Sequence, residues 1–348
     1  MRDFKEHLVQ RNTTLREALE LLDLLTPDAI LFVIDNDSRL LGSLTYGDVR
    51  RGLLEGKGVN GEVITFSQTL PKSICKTNYS LSEIVALRAE GLKVLPVLDN
   101  DNKVVNIINF RLLKSYLPMD ALVMAGGRGT RLSPLTDTVP KPLLKVGDKA
   151  IIDHNIDRLR SFGIDDFHIS IRYLGEQLEE HYKRRALPGI NLNFVWENEP
   201  LGTLGGASLI EQFHNDYVLI TNSDLLTTLD YEDFFLDFIE KEADMSVASV
   251  PYQVDVPYAV LEMNNDRVIS FKEKPSYTYQ SNGGIYIVKK ELLEQIPRNQ
   301  FYNATDLMEK LINEASKLIT YPIYQYWLDI GKPEDFAKAQ SDIKRIDL

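Results

Sequence analysis

The apolar positions of this chain follow one pattern up to about residue 118 and another after it. In the first stretch a single pattern occurs twice without a gap. Phe32-Val-Ile-Asp-Asn-Asp-Ser-Arg-Leu-Leu matches Pro96-Val-Leu-Asp-Asn-Asp-Asn-Lys-Val-Val, each a short apolar strand, an Asp-Asn-Asp turn and a second apolar strand. Upstream stand Asn12-Thr-Thr-Leu-Arg-Glu-Ala-Leu and Asn78-Tyr-Ser-Leu-Ser-Glu-Ile-Val, where Thr14 or Ser80 can cap a helix and Glu17 or Glu83 can complete a capping box. Each repeat therefore predicts helix, hairpin, helix. Neither can bury both faces of its sheet alone, so the two are expected to pack together as one α+β domain over residues 1–118.

Pro118 closes that pattern, and Ala121-Leu-Val-Met opens a second one as a buried strand running into glycines. Strands are predicted over 167–171, 193–196, 217–221, 245–250 and 284–288, with helices over 152–162, 178–186, 231–242 and 305–314. This alternation predicts an α/β domain over 119–348, a mostly parallel sheet with helices on both faces. Ligands of such a sheet bind at the carboxyl ends of its strands.

Composition narrows the function. With 348 residues, 44% hydrophobic and 26% charged, the chain can bury two cores. Its start, Met1-Arg-Asp-Phe-Lys-Glu-His-Leu, is charged and predicts neither a signal peptide nor a membrane span, so a cytoplasmic protein is expected. A single cysteine, Cys75, excludes an internal disulfide framework and a cysteine metal site. The net charge of −12 argues against nucleic acid as a partner, because phosphate-backbone binding needs a broad cationic face. A small anion would need a local cluster of cations, backbone N–H groups or metal ions. The histidines at 7, 154, 168, 181 and 214 show no metal-ligand spacing.

One segment supplies such a cluster. In Leu122-Val-Met-Ala-Gly-Gly-Arg-Gly-Thr-Arg-Leu-Ser-Pro-Leu-Thr136 a strand ends in Ala125, Gly126, Gly127, Gly129 and Thr130, whose backbone can approach phosphates and aim N–H groups at them. Arg128, Arg131 and, from Pro140-Lys-Pro-Leu143, Lys141 add positive charge. Leu132 stands where a dinucleotide fingerprint needs its third glycine, and no G-x-x-x-x-G-K-[ST] occurs.

The whole string resembles the signature G-G-x-G-T-R-L-x-P-L-T with P-K-P-L of the sugar-1-phosphate nucleotidyltransferases. The resemblance continues in order along the chain. Glu197-Asn-Glu-Pro-Leu-Gly202-Thr is similar to the family's element beside the nucleotide base, which adds Glu197 and Gly202 to the expected nucleotide contacts. Asp224, after Leu219-Ile-Thr-Asn-Ser, looks like the family's metal-binding aspartate, and Asp329 in Trp327-Leu-Asp-Ile-Gly331 like its partner; Mg2+ is the implied cofactor. Arg131, Lys141 and Asp224 are the implied catalytic residues. Glu273-Lys274-Pro and Ser281-Asn282-Gly-Gly284-Ile-Tyr resemble the sugar-phosphate elements, so Glu273, Lys274, Asn282 and Gly284 are implied on that side. Ala259 departs from the glycine many relatives carry beside the sugar.

The implied partners are an NTP, with GTP favoured by the E-x-E-P-L-G-T form over dTTP, UTP or CTP, and a sugar 1-phosphate for surface-glycan or nonulosonate precursors. A catalytically silent regulatory subunit would be expected to lack Arg131, Lys141, Asp224 or Asp329, and all four are present. The N-terminal repeats resemble a CBS-domain pair, which implies an adenine nucleotide as regulatory ligand and a homo-oligomer formed through the pair. Thr45 and Asp48 in Gly42-Ser-Leu-Thr-Tyr-Gly-Asp look like its ribose and phosphate segment; equally, they can cap the helix that starts nearby. The second repeat has Asn109 and Leu112 at the equivalent places and has lost the aspartate.

Overall fold

The computed structural model describes residues 3–185 and 187–346, so the predicted end of one helix at Ala186 lies outside the described residues. The chain divides into two compact units: one runs to Pro118 and includes Leu159–Asp166 and Tyr182–Leu192, and the other holds Met119–Arg158, Phe167–His181 and Asn193 onward. No helix among the described residues is long and apolar enough to cross a membrane.

In the first unit, β1 (Leu8–Gln10), α1 (Leu15–Leu24), β2 (Ile30–Ile34), β3 (Leu40–Thr45) and α2 (Tyr46–Leu54) form the first repeat, with β4 (Gln68–Thr69) at the sheet edge. The second repeat follows as β5 (Ile74–Cys75), α3 (Leu81–Ala89), β6 (Val94–Leu98) and β7 (Val104–Asn109). Thr14 and Glu17 close the predicted capping box on α1, and Ser80 caps α3 by accepting the Glu83 N–H at 3.2 Å. The two hairpins meet at their Asp-Asn-Asp tips, where Leu40 N–H donates to Asn102 O (2.9 Å) and Val104 N–H to Ser38 O (3.0 Å). Ile34, Leu98 and Val104 bury one small apolar cluster between them. The second repeat departs from the predicted helix–hairpin–helix order, since no helix follows β7. The Asn109 side chain accepts the Arg111 N–H (3.0 Å) and starts a turn, and Pro118 ends the segment directly before the next strand, leaving no room to propagate a helix.

The second unit is built on a seven-stranded sheet in the order β12-β11-β8-β13-β18-β15-β19. In chain order its elements are β8 (Met119–Met124), the small ribbon β9 (Lys145–Val146) and β10 (Lys149–Ala150), α4 (Ile151–Ser161), β11 (Asp166–Ile171), α5 (Gly175–Arg184) and β12 (Asn191–Trp196). Then come β13 (Tyr217–Asn222), β14 (Leu225–Thr227), α6 (Tyr231–Glu240), β15 (Met245–Asp255), β16 (Val260–Asn264), β17 (Arg267–Lys272) and β18 (Ser276–Lys289). The chain finishes with α7 (Lys290–Glu294), α8 (Ala304–Asn313), β19 (Leu318–Pro322), β20 (Trp327–Asp329) and α9 (Pro333–Asp342). The sheet is mostly parallel as predicted: β8 pairs with β13 and β15 with β19 in parallel, while β18 runs against both its neighbours. Leu122, Val218, Ile220, Val247 and Val288 pack on Leu307 and Leu311 of α8, the two-residue period of strands meeting the helical period of α8. β15 and β18 run past their predicted ends as a long antiparallel ladder to Asp255 and Ser276. Those extensions are exposed on both faces, so no alternation of apolar positions marked them.

β8 is anchored at its start by Asp120, fully buried, whose carboxylate accepts the His214 N–H (2.7 Å) and the Asn215 side-chain N–H (2.6 Å). Asp120→Ala should lower unfolding free energy by about 1–3 kcal/mol, because two hydrogen bonds to a buried carboxylate are lost; urea denaturation of the variant checks this.

Candidate active site

β8 delivers its chain end to the site at Ala125, whose N–H donates to Ser170 O on β11 (2.8 Å). The glycines follow, and Gly129 sits at φ +62°, where a Cβ would lie 3.0 Å from Lys141 Cβ and 3.1 Å from Thr136 Cγ2. Glycine at that turn thus lets Lys141 come in. Thr136 locks the turn by donating to Gly129 O (2.9 Å). Lys141 itself is 7% exposed, and its ammonium forms an ion pair with the Asp224 carboxylate. Burial of the ammonium favours a partner for it, and the partly exposed Asp224 supplies one.

Asp224 follows β13, and β14 immediately pairs antiparallel with β20, setting Leu225 opposite Asp329. Ile330 N–H donates to Asp224 O (3.1 Å), so two aspartates remote in sequence end on neighbouring positions. Burial, and then the negative charge of Asp224, push the Asp329 carboxyl above the ordinary aspartate value, with Lys141 and Arg131 opposing. Arg131 lies against the end of β20: a Cβ on Gly331 would sit 3.2 Å from its guanidinium. Two repelling carboxylates that draw cations to themselves suit a hard divalent ion. No group of three or more His, Cys, Asp or Glu side chains forms a metal site among the described residues, so such an ion would need oxygen ligands from substrate or water.

A cleft of about 440 Å³ opens over these strand ends, and it brings together Ala125, Gly126, Gly127, Gly129, Thr130, Arg131, Lys141, Glu197, Gly202 and Asp224. The buried Glu197 carboxylate accepts the Ser170 hydroxyl and the Leu201 N–H (3.2 Å), so it also holds the 197–202 loop in place. Arg172, Asn222, Ser223 and Phe301 line the same cleft and were not anticipated. The first three lie within two residues after the end of a predicted strand, a signal that could have found them; Phe301 comes from a loop with no such mark.

The residues that the resemblance implies for the sugar phosphate stand apart from that lining. Glu273 and Lys274 are exposed in the turn between β17 and β18, with Lys274 at φ +42°. Asn282 accepts the Gly284 N–H (2.9 Å), and Gly284, at φ +72°, touches the cleft through Asn222: a Cβ on it would meet Asn222 Nδ2 at 2.7 Å. The Trp327 indole N–H donates to Gly283 O (2.9 Å) and so ties β20 to this strand.

In the first unit Thr45 and Asp48 form a complete capping box on α2, and the second Asp48 oxygen pairs with Arg51. The capping role is therefore realised. A separate cavity of about 440 Å³ contains Asn109 and Leu112, the second-repeat equivalents. A carboxylate is present there after all, supplied by Asp28, which accepts from Asn109 Nδ2 (2.8 Å) and pairs with Arg111 (2.7 Å).

Residues 120–346 match the family model described as Nucleotidyl transferase, and residues 3–55, the first repeat, match that described as CBS domain. The chain is 31% identical over 236 residues to the mannose-1-phosphate guanylyltransferase of Mycobacterium tuberculosis, covering 65% of this chain and 65% of that one. It is 32% identical over 230 residues to the D-glycero-alpha-D-manno-heptose 1-phosphate guanylyltransferase of Aneurinibacillus thermoaerophilus, 65% of this chain and 99% of that one. With the UTP–glucose-1-phosphate uridylyltransferase of Synechocystis it shares 28% over 241 residues, 64% and 62% of the two chains. The chain thus spans just under two thirds of the first and third of these relatives. A crystal structure of HddC from Yersinia pseudotuberculosis superposes with a TM-score of 0.51 at 27% identity, covering 65% of this chain and 99% of that one.

Neutralising Asp224 tests the electrostatics of the pair. A raised carboxyl pKa contributes stability below the ordinary aspartate value that is lost as pH rises through the raised one. Asp224→Asn should move the Asp329 titration down, though not fully, because burial persists; NMR titration of the Asp329 carboxyl reads the shift.

Proposed function

The chain belongs to the nucleotidyl transferase family, and from that membership we propose that it joins a sugar 1-phosphate to the nucleoside monophosphate of an NTP and releases pyrophosphate. The observation that carries this reading is the pairing of the buried Lys141 with Asp224 at the strand ends, beside Arg131, Asp329 and a glycine-rich backbone turn. GTP is the proposed nucleotide and a hexose, heptose or amino-sugar 1-phosphate the acceptor, supported by the two guanylyltransferases among the relatives above. The uridylyltransferase likeness makes UTP the alternative to test.

A sugar phosphate oxygen attacks the α-phosphorus in line; the new P–O bond forms as the bond to the β-phosphate oxygen breaks, and pyrophosphate leaves with that electron pair. A phosphate monoester is already anionic near neutral pH, so no base is required. The chain's task is to hold two repelling anions in line and offset the charge on the phosphoryl oxygens. Gly126, Gly127, Gly129 and Thr130 approach the phosphates, Arg131 and Lys141 carry the positive charge to them, and Lys141 must exchange Asp224 for phosphate as substrate enters. Lys274 is assigned to the acceptor phosphate, and Glu273, Asn282 and Gly284 to the sugar. Asp224 and Asp329 would hold Mg2+, which as a Lewis acid supplies charge neutralisation at the phosphates.

For the N-terminal unit we propose an adenine nucleotide as regulatory ligand, with Thr45 and Asp48 as contacts, and association into a homo-oligomer. The cavity around Asp28, Asn109 and Arg111 offers that ligand more room.

The test is pyrophosphate release from purified protein with Mg2+, using GTP, UTP, dTTP, CTP and ATP against a panel of sugar 1-phosphates. Release with one pair establishes the reaction and both substrates; silence with every pair, with and without AMP or ATP as activator, refutes it. Asp224→Ala should cut kcat by about 10²–10³-fold or more while the thermal unfolding profile stays cooperative. Wild-type turnover in that variant at saturating Mg2+ would remove Asp224 from the mechanism.

A further inference from the structure

The nucleotide cleft holds one cation that the proposed reaction leaves without a task. Arg172 is the first residue beyond β11, and Glu197 is the first beyond β12, the neighbouring strand. Glu197 N–H donates to Ile171 O (3.0 Å), so the two side chains start side by side on adjacent strand ends. Gly126 lies between them: a Cβ built on it would be 3.5 Å from Arg172 Cβ and 3.6 Å from each Glu197 carboxylate oxygen. Both residues line the cleft. Glu197 is fixed there by the Ser170 hydroxyl and the Leu201 N–H, which occupy one lone pair on each oxygen and leave others directed elsewhere. Arg172 is half-buried, and its guanidinium makes no hydrogen bond or ion pair among the described residues. A half-buried donor group facing a ligand cleft without a partner is available to the ligand.

We infer that Arg172 selects the nucleobase, reading with Glu197 a base edge on which a keto oxygen adjoins an imide N–H. This deepens the reading of Glu197 as the residue beside the base. A guanidinium only donates hydrogen bonds and a carboxylate only accepts them. The pair therefore matches an edge carrying an acceptor next to a donor. Guanine presents O6 beside N1–H, and uracil and thymine present O4 beside N3–H. Adenine and cytosine present the reverse, an amino donor turned toward the guanidinium and a bare ring nitrogen toward the carboxylate, so both contacts fail and both protein groups stay desolvated and unpaired. Guanine's N2 amino group offers Glu197 a second donor that the pyrimidines lack. Selection against ATP and CTP is thus local to two strand ends.

Calorimetric binding of GMP and AMP to the full chain tests this without requiring turnover. Wild type should bind GMP at least about 10-fold more tightly than AMP. Arg172→Ala should weaken GMP about 10- to 100-fold, the range for one hydrogen bond from a charged donor to the keto oxygen, and leave AMP within about 2-fold, so that the preference collapses. Arg172→Met keeps an unbranched stem but removes every donor; it should lose most of the preference and serves as the second variant if the alanine variant is unstable. Equal weakening of GMP and AMP in the variants would make Arg172 a phosphate contact and overturn the inference, as would a wild type that binds both alike. Base-selective binding that collapses on substitution, with no pyrophosphate released from any substrate pair, would sink the proposed reaction and leave the base-selecting role standing.

Discussion

Two aspartates that repel each other sit on neighbouring positions at the carboxyl ends of the sheet, and much of the second unit is arranged to keep them there. Asp224 and Asp329 are held by the short β14–β20 ribbon, whose pairing fixes their separation whatever their charge. The repulsion is offset by Lys141 and Arg131, and those cations reach the site only through backbone geometry: a left-handed glycine at 129 and a tight turn at Lys141–Leu143. Without a ligand the cluster is balanced; a polyphosphate substrate of the proposed reaction would give the cations a second anion to hold. The site is therefore arranged in advance for charge that arrives with its ligand.

Rigidity around that cluster comes from structural hydrogen bonds. Glu197 closes the 197–202 loop through Leu201 and Ser170, and Gly284 lets β18 touch Asn222 at the cleft wall while Trp327 ties β20 to the same strand. The proposed nucleotide side and the proposed sugar side are thereby joined through β13, β18 and β20, three strands that start far apart in the chain. The β15–β18 ladder and the β16–β17 hairpin carry Glu273 and Lys274 out on exposed backbone, where position depends on the ladder rather than on a packed core.

The first unit shows how a repeat diverges while its geometry persists. Tip-to-tip pairing of the hairpins depends on backbone groups of the two Asp-Asn-Asp turns and so survives substitution around them. The carboxylate missing near Leu112 is replaced in space by Asp28, from the other repeat. The first repeat, by contrast, keeps its aspartate, Asp48, which with Thr45 caps α2.

What the sequence alone determined is whatever short-range pattern encodes: the duplicated hairpins, the alternation of strand and helix, the glycine turn with its cations, and the order of the carboxylate-bearing segments. These are legible because apolar periodicity, caps and left-handed turns are properties of a few adjacent residues. Tertiary structure decided what depends on distance across the chain. Only folding set Asp329 beside Asp224, put Lys141 against that pair, supplied Asp28 in place of a lost aspartate, and placed Arg172 next to Glu197 across one glycine. The exposed ends of β15 and β18 and the missing helix after β7 were equally illegible, the first because no buried face patterns them, the second because it depends on where the next strand must begin. Charge repulsion, burial and strand pairing act between residues far apart in sequence, and no local window contains both members of such a pair.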